Sequence, residues 1–113
     1  MTAITLYHNP RCSKSRQTLA LLEERGHKPE VVLYLETPPN TATLGELTNL
    51  LGKSAHEIIR TGESEYSKDM SSWSEDQLLA EIVAHPILLQ RPIVVANGQA
   101  RIGRPPESVL EIL

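Results

Sequence analysis

The chain has 113 residues, 40% of them hydrophobic and 22% charged, and its formal net charge is −3. This length suits one compact domain, and the slightly acidic balance argues against the broad basic surface that nucleic-acid binding requires. The single cysteine, Cys12, excludes an intrachain disulfide and a cysteine-rich zinc site.

The start of the chain predicts a βαβ unit. The β-branched and aromatic content of Ile4–Tyr7 indicates a short strand. A helical apolar pattern follows from about Ser13 to Arg25, and Gly26 is placed to end it. Val31–Leu35 is a nearly continuous apolar run, as expected of a strand buried on both faces. The two strands should be parallel and joined by a right-handed crossover.

The middle of the chain predicts a helical section. Its first helix should end at Leu51, and its last should run from Glu75 to His85. Residues 64–73 fit either a turn or a short helix. Three pairs with capping-box spacing mark the helix starts, namely Thr43 with Glu46, Ser54 with Glu57 and Ser74 with Gln77.

The end of the chain predicts a β-hairpin and a helix. Pro92–Ala96 and Gln99–Ile102 should be its strands, joined by a two-residue turn at Asn97-Gly98. Pro105-Pro106 suits the first turn of a last helix. This helix should bury three apolar residues, Val109, Leu110 and Ile112.

The order of these elements is βαβ, then helices, then ββα, which is the order of an α/β thioredoxin-like fold. We predict a single thioredoxin-like domain over residues 1–113, with a helical insertion at about 37–90 between the second and third strands. Residues 1–6 lack the features of a signal peptide, and Gln90 and Arg91 interrupt the nearest long apolar run. A lone thiol fits a reducing compartment, so we expect a cytoplasmic protein with no membrane partner.

The cations are concentrated in two stretches. Residues 1–22 and residues 82–106 each contain three cations and no acid, whereas residues 23–81 contain five cations and twelve acids. If the two basic stretches meet in the fold, they form a small positive pocket on an acidic protein. Such a pocket suits a small anion better than a nucleic acid.

Cys12 lies where the first strand gives way to the first helix. Unpaired N–H groups and the positive end of the helix dipole favour a thiolate there. Arg11, Lys14 and Arg16 crowd the same turn, although a helix N-terminus prefers acids. A buried, inert cysteine with solvated cations is the alternative interpretation. Because such a cluster breaks a local rule without a structural gain, we interpret Cys12 as a nucleophile beside an anion pocket.

Four segments of the chain resemble the glutaredoxin-coupled arsenate reductase family, and in particular a short branch of it. The resemblance covers nearly the whole chain. The matching segments are His8–Arg16 around Cys12, Arg60 ahead of Thr-Gly-Glu, Arg91–Val94, and Ile102–Pro106.

The resemblance implies that the chain reduces arsenate to arsenite, with Cys12 as the nucleophile. Arg60, Arg91 and Arg104 would bind the oxyanion and converge on Cys12. These arginines also suit arsenate chemically. An arsenate oxyanion is best bound by planar, permanently charged, bidentate donors, which arginine supplies and lysine does not.

Four further residues have supporting roles in this interpretation. His8 and Ser15 would tune the thiolate, Ser15 by donating a hydrogen bond to it. Asn9 and Pro92 would shape the site, with a cis Arg91–Pro92 bond that places Pro92 against Cys12. His27, His56 and His85 share no metal-ligand spacing with each other or with Cys12, so we predict no metal.

Turnover needs a second thiol from outside the chain, because Cys12 has no partner cysteine. Glutathione as co-substrate and glutaredoxin as partner are the expected reductants, and no bound cofactor is expected.

Other interpretations stay open. His8 at a strand end is commonly a core histidine, Arg60 an ordinary cation at a helix end, and Arg91 a loop charge. At the level of function, one alternative is a general glutathione-dependent thiol oxidoreductase that acts on another substrate. The other is a non-enzymatic, RNA-polymerase-binding regulator of the same superfamily, which typically uses a Cys-x-x-Cys switch that this chain lacks.

Overall fold

The computed structural model describes residues 3–113. Two compact units are present: the chain up to Thr37 together with Arg91–Leu113, and Pro38–Gln90. The second unit has nearly the bounds of the predicted insertion, and the grouping of both into one domain stays a prediction. Over the described range, no helix has the length and apolar character needed to cross a bilayer.

The first unit is built on a four-stranded mixed sheet with the order β2-β1-β3-β4. β1 pairs in parallel with β2 and antiparallel with β3, which in turn pairs antiparallel with β4. This topology confirms the predicted thioredoxin-like arrangement. The strands are β1 (Ile4–Tyr7), β2 (Glu30–Val32), β3 (Ile93–Ala96) and β4 (Gln99–Ile102).

Helix α1 (Ser13–Glu24) and a 3₁₀ helix (Pro106–Ile112) complete this unit. Gly26 follows α1 with φ of 82°, the left-handed conformation in which a helix is often ended by glycine. Asn97 and Gly98 both have positive φ, as a tight hairpin turn requires. The aliphatic core of the unit contains Ile4, Leu6, Leu22, Val94, Ala96, Val109 and Ile112.

The predicted buried strand at Val31–Leu35 is wrong. β2 ends at Val32 and lies at the edge of the sheet, where it pairs only with β1. Beyond it the carbonyl of Leu33 accepts hydrogen bonds from the N–H groups of Glu36 and Thr37, which closes a turn. Side chains therefore alternate: Tyr34 is fully buried, whereas Leu33 and Leu35 are 36% and 39% exposed.

The last helix also differs from the prediction. It is a 3₁₀ helix that buries Val109 and Ile112, while Leu110 is only half-buried. Three residues per turn place positions three apart on one face, so Pro106, Val109 and Ile112 share the face that packs inward.

The second unit contains three α-helices: α2 (Thr41–Leu51), α3 (Ala55–Ile58) and α4 (Glu75–Ala84). Short 3₁₀ helices cover Lys68–Ser72 and Pro86–Leu88. The capping boxes at the starts of α3 and α4 are confirmed. The predicted cap at Thr43 is wrong, because the side chain of Asn40 accepts the N–H of Thr43 at 2.8 Å and starts α2 three residues earlier.

Gly103 packs closely against Thr18 and Pro92 in the first unit. A Cβ added there would lie 2.6 Å from Thr18 Oγ1 and 2.7 Å from Pro92 Cγ, whereas a Cβ at Gly45 would meet nothing within 4 Å. We expect Gly103→Ala to lower the free energy of unfolding by about 1–3 kcal/mol through overpacking. The matched variant Gly45→Ala in α2 should be neutral or stabilising by about 1 kcal/mol. Urea denaturation measures both, and an unchanged midpoint for Gly103→Ala contradicts the packing described.

Candidate active site

Cys12 is held at the start of α1 by a turn that Asn9 closes. The N–H of Cys12 donates to the carbonyl of Asn9 at 3.0 Å, and the side-chain oxygen of Asn9 accepts the N–H of Arg11 at 3.0 Å. Asn9 is buried, while Cys12 is half-buried and accessible to a small molecule. Asn9 thus closes the turn that holds Cys12, and its role in shaping the site stays a prediction.

Arg91 and Arg104 meet at the sulfur of Cys12, although they lie far from it in sequence. Arg104 Nη2 donates to Cys12 Sγ at 3.4 Å. The side chain of Arg91 lies close enough to the sulfur to lower the pKa of the thiol by hydrogen bonding. Arg104 Nε donates to the backbone carbonyl of Arg91 at 2.8 Å. Arg91 therefore has two roles: its side chain acts on the sulfur, and its backbone carbonyl orients the guanidinium of Arg104.

The sheet explains why these two arginines meet. Arg91 comes just before β3 and Arg104 just after β4, and antiparallel pairing of the two strands brings both to one edge of the sheet. The Arg91–Pro92 peptide bond is cis, as predicted, and the Arg104–Pro105 bond is also cis. The predicted contact between Pro92 and Cys12 stays a prediction.

The surroundings of Cys12 favour its thiolate. Burial acts to raise the pKa of the thiol, but hydrogen bonds from the N–H of Ser15, from Arg91 and from the N–H of Lys14 act in the opposite direction. The charge of Arg104 adds to them, and together these groups lower the pKa. The N–H groups act here although the Cys12 side chain forms no helix-capping hydrogen bond of standard geometry.

The predicted direction of this shift is confirmed, but its predicted source is partly wrong. The charges that lower the pKa belong to Arg91 and Arg104, on the distant hairpin. Arg11, Lys14 and Arg16 are exposed to solvent, and their side-chain charges are not among the groups that lower the pKa of Cys12. Arg16 has another function, since its Nη1 donates to the carbonyl of Pro10 at 2.9 Å and braces the turn.

His8 and Ser15 form a buried pair beneath the turn. Ser15 Oγ lies 2.7 Å from His8 Nδ1 and accepts the N–H of Asn9 at 3.0 Å. Burial, and then the charge of Arg16, lower the pKa of His8, so the imidazole is neutral near pH 7. A serine hydroxyl has one proton to donate. If Nδ1 is the accepting nitrogen, that proton goes to His8, and the contribution of Ser15 to the sulfur is its backbone N–H.

Arg60 belongs to the second unit. Its Nε donates to Glu63 Oε2 at 3.1 Å, and its Nη1 donates to Gln90 Oε1 at 2.8 Å. Its backbone N–H donates to the carbonyl of Leu88 at 2.7 Å, which fixes the loop. The predicted convergence of Arg60 on Cys12 stays a prediction.

A groove of about 360 Å³ borders the turn that holds Cys12. Sequence reasoning missed it, because its wall after β2 was interpreted as part of a buried strand. We call it the leucine groove; its lining residues are His8, Asn9, Pro10, Arg11, Leu33, Leu35 and Glu36.

Comparison with known proteins identifies the family. A family model described as the ArsC family matches residues 7–112, which is nearly the whole chain. The chain belongs to the ArsC family. The expected resemblance is thereby confirmed over a range that includes Cys12, Arg91 and Arg104.

Individual ArsC relatives match along their full length. The uncharacterized protein YfgD of Escherichia coli K12 is 58% identical, with 97% of this chain and 96% of that protein aligned. An arsenate reductase of Neisseria meningitidis serogroup B is 48% identical, with both chains fully covered. The solved structure of an arsenate reductase from Vibrio cholerae superposes with a TM-score of 0.93 at 50% identity, covering 99% of this chain and 98% of that one. These names agree with the expectation of an enzyme.

The contact between Arg104 and Cys12 predicts how the thiol responds to pH. We expect Cys12 to titrate below the value of about 8.5 of a free thiol. Arg104→Gln should raise its pKa, because the thiolate loses a cation and a donor. The rate of alkylation by iodoacetamide as a function of pH measures this.

Arg101→Gln is the matched control, since Arg101 lies on the same hairpin and pairs with Glu111 at 3.1 Å. It should leave the alkylation profile unchanged. Equal profiles for Arg104→Gln and Arg101→Gln would show that Arg104 does not act on the sulfur.

Proposed function

We propose that this protein reduces arsenate to arsenite, with Cys12 as the nucleophile and with Arg91 and Arg104 as oxyanion-binding residues. The observation that carries the proposal is the meeting of two guanidiniums at a sulfur whose pKa is lowered. The choice of arsenate as the substrate rests on the relatives named arsenate reductase, because they match this chain over its full length.

The two arginines suit an oxyanion next to the sulfur. Each guanidinium is planar and permanently charged, and it can donate two parallel hydrogen bonds to a tetrahedral oxyanion. Arg91 is buried, which strengthens its electrostatic attraction, whereas Arg104 is exposed and can move with an arriving ligand. Before arsenate binds, the guanidinium N–H groups stabilise the thiolate. When the arsenic atom approaches the sulfur, the same groups can donate to the arsenate oxygens instead.

Reduction moves two electrons onto arsenic. In the first step the Cys12 thiolate bonds to arsenic, and one arsenate oxygen leaves, after protonation, as water. In the second step an external thiolate bonds to the Cys12 sulfur and the sulfur–arsenic bond breaks. The electron pair of that bond stays on arsenic, which departs as arsenite. Cys12 is then joined to the external thiol by a disulfide, which a second external thiol reduces.

The external reductant in this proposal is glutathione, with glutaredoxin as the protein partner that completes the cycle. A chain with one cysteine cannot form the disulfide within itself. The reaction belongs in the cytoplasm, where both thiols are kept reduced. No cofactor is needed, because the sulfur atoms carry both electrons.

Arg60 is proposed as the third oxyanion-binding residue, supplied by a helical insertion within one thioredoxin-like domain. Glu63 and Gln90 hold its guanidinium through hydrogen bonds, so binding of an oxyanion there would compete with the carboxylate of Glu63. His8 and Ser15 are proposed as tuning residues that keep the turn rigid and the N–H of Ser15 aimed at the thiolate.

The test is arsenate-dependent oxidation of NADPH in the presence of glutathione, glutaredoxin and glutathione reductase. We expect activity in the wild type and none in Cys12→Ser. Arg91→Lys and Arg104→Lys keep the charge but lose the bidentate geometry, so kcat/KM for arsenate should fall by about 10- to 100-fold. Thermal unfolding should show these variants folded.

Arg101→Lys is the control for the arginine variants and should keep wild-type kcat/KM. Absence of arsenate reduction, together with reduction of a glutathione mixed disulfide by wild type, would instead select a general thiol oxidoreductase.

A further inference from the structure

The leucine groove borders the turn that precedes Cys12, and the strand order places its wall on the β2 side of that turn, with the β3–β4 hairpin on the other side. In the sheet register Val32, Tyr7, Ile93 and Ile102 follow one another across the strands. The segments that extend from this edge keep the same order. The groove wall follows β2, the Cys12 turn follows β1, and the two arginines flank the β3–β4 hairpin.

The groove combines an apolar wall with two opposite charges. Leu33 and Leu35 line it and are among the few large apolar side chains with substantial exposure. Arg11 and Glu36 also line it. Between residues 3 and 113, neither the guanidinium of Arg11 nor the carboxylate of Glu36 has a hydrogen-bond or ion-pair partner in the structure.

Displacement at a sulfur atom is an in-line reaction, so the attacking thiolate and the departing arsenic must lie on opposite sides of the Cys12 sulfur. An oxyanion held by Arg91 and Arg104 occupies the hairpin side. The attacking thiol must then approach from a side of the sulfur away from the hairpin, and the leucine groove lies on the β2 side of the turn.

We propose that the leucine groove binds the external thiol, a small zwitterionic peptide thiol of the glutathione class, on the side of Cys12 opposite to the oxyanion. Arg11 would pair with a carboxylate of the peptide and Glu36 with its ammonium group, while Leu33 and Leu35 contact its methylene groups. The volume of about 360 Å³ is at the small end of the range for ligand pockets, which suits a small peptide. The sulfur of the bound peptide forms the bond to Cys12 described above. This inference rests on the proposed arsenate reduction.

The first test is binding without chemistry. S-methylglutathione has no free thiol, so its titration into the wild-type protein reports the site alone. We expect NMR shift changes at Leu33, Leu35 and Glu36, and binding about tenfold weaker in Glu36→Lys. Glu23→Lys, a charge reversal on the exposed face of α1, should bind like the wild type. Shift changes confined to Arg91 and Arg104, or no binding at all, would overturn the proposal that the leucine groove binds the peptide thiol.

The second test separates this inference from the proposed function. In the arsenate assay, Glu36→Lys should raise the KM for glutathione about tenfold while the KM for arsenate stays unchanged. With the uncharged thiol dithiothreitol in place of glutathione, Glu36→Lys and the wild type should reduce arsenate equally well. An equal loss of activity with both thiols would show that Glu36→Lys has a structural defect and would contradict thiol binding in the leucine groove. Wild-type protein that binds S-methylglutathione in the groove but reduces no arsenate would overturn the proposed function alone.

Discussion

The site depends on stabilisation of one sulfur atom by groups that the fold brings together. The thiolate of Cys12 has the N–H groups of Lys14 and Ser15 on its helix side and the guanidiniums of Arg91 and Arg104 on its hairpin side. Burial alone would favour the neutral thiol, so these donors decide the protonation state. The lowered pKa of the thiol and the proposed binding of an oxyanion both depend on this arrangement.

The rest of the first unit keeps that arrangement in place. The hydrogen bond from Arg104 Nε to the carbonyl of Arg91 couples the two arginines, so neither is positioned independently. On the other side, the buried pair of His8 and Ser15 supports the turn that Asn9 closes. Gly103 lets the hairpin approach α1 closely, because a side chain there would collide with Thr18 and Pro92. The lowered pKa therefore depends on residues that never contact the sulfur.

Much of this was accessible from the sequence, and the rest was not for identifiable reasons. Capping signals and the Asn97-Gly98 turn are local, so they predicted α3, α4 and the hairpin correctly. The thiolate was predicted from the helix N-terminus, but its charged partners were sought among Arg11, Lys14 and Arg16, because sequence proximity does not show which side chains act on the sulfur. The exposed wall at Leu33 and Leu35 was missed, because an apolar run does not reveal whether its strand is central or at an edge. The hydrogen bond from Arg104 to the backbone carbonyl of Arg91 could not be predicted, because every residue has such a carbonyl and the sequence does not mark this one.

The central claim is that the sulfur of Cys12 bonds to arsenic and then to the reducing thiol. The most direct measurement is the intact mass of the protein after a single turnover with arsenate and glutathione, with glutaredoxin omitted. The account predicts one glutathione attached to Cys12 for each arsenite formed, and no attachment when arsenate is omitted. Arsenite formed while Cys12 stays unmodified, or formed equally well by Cys12→Ser, would contradict it.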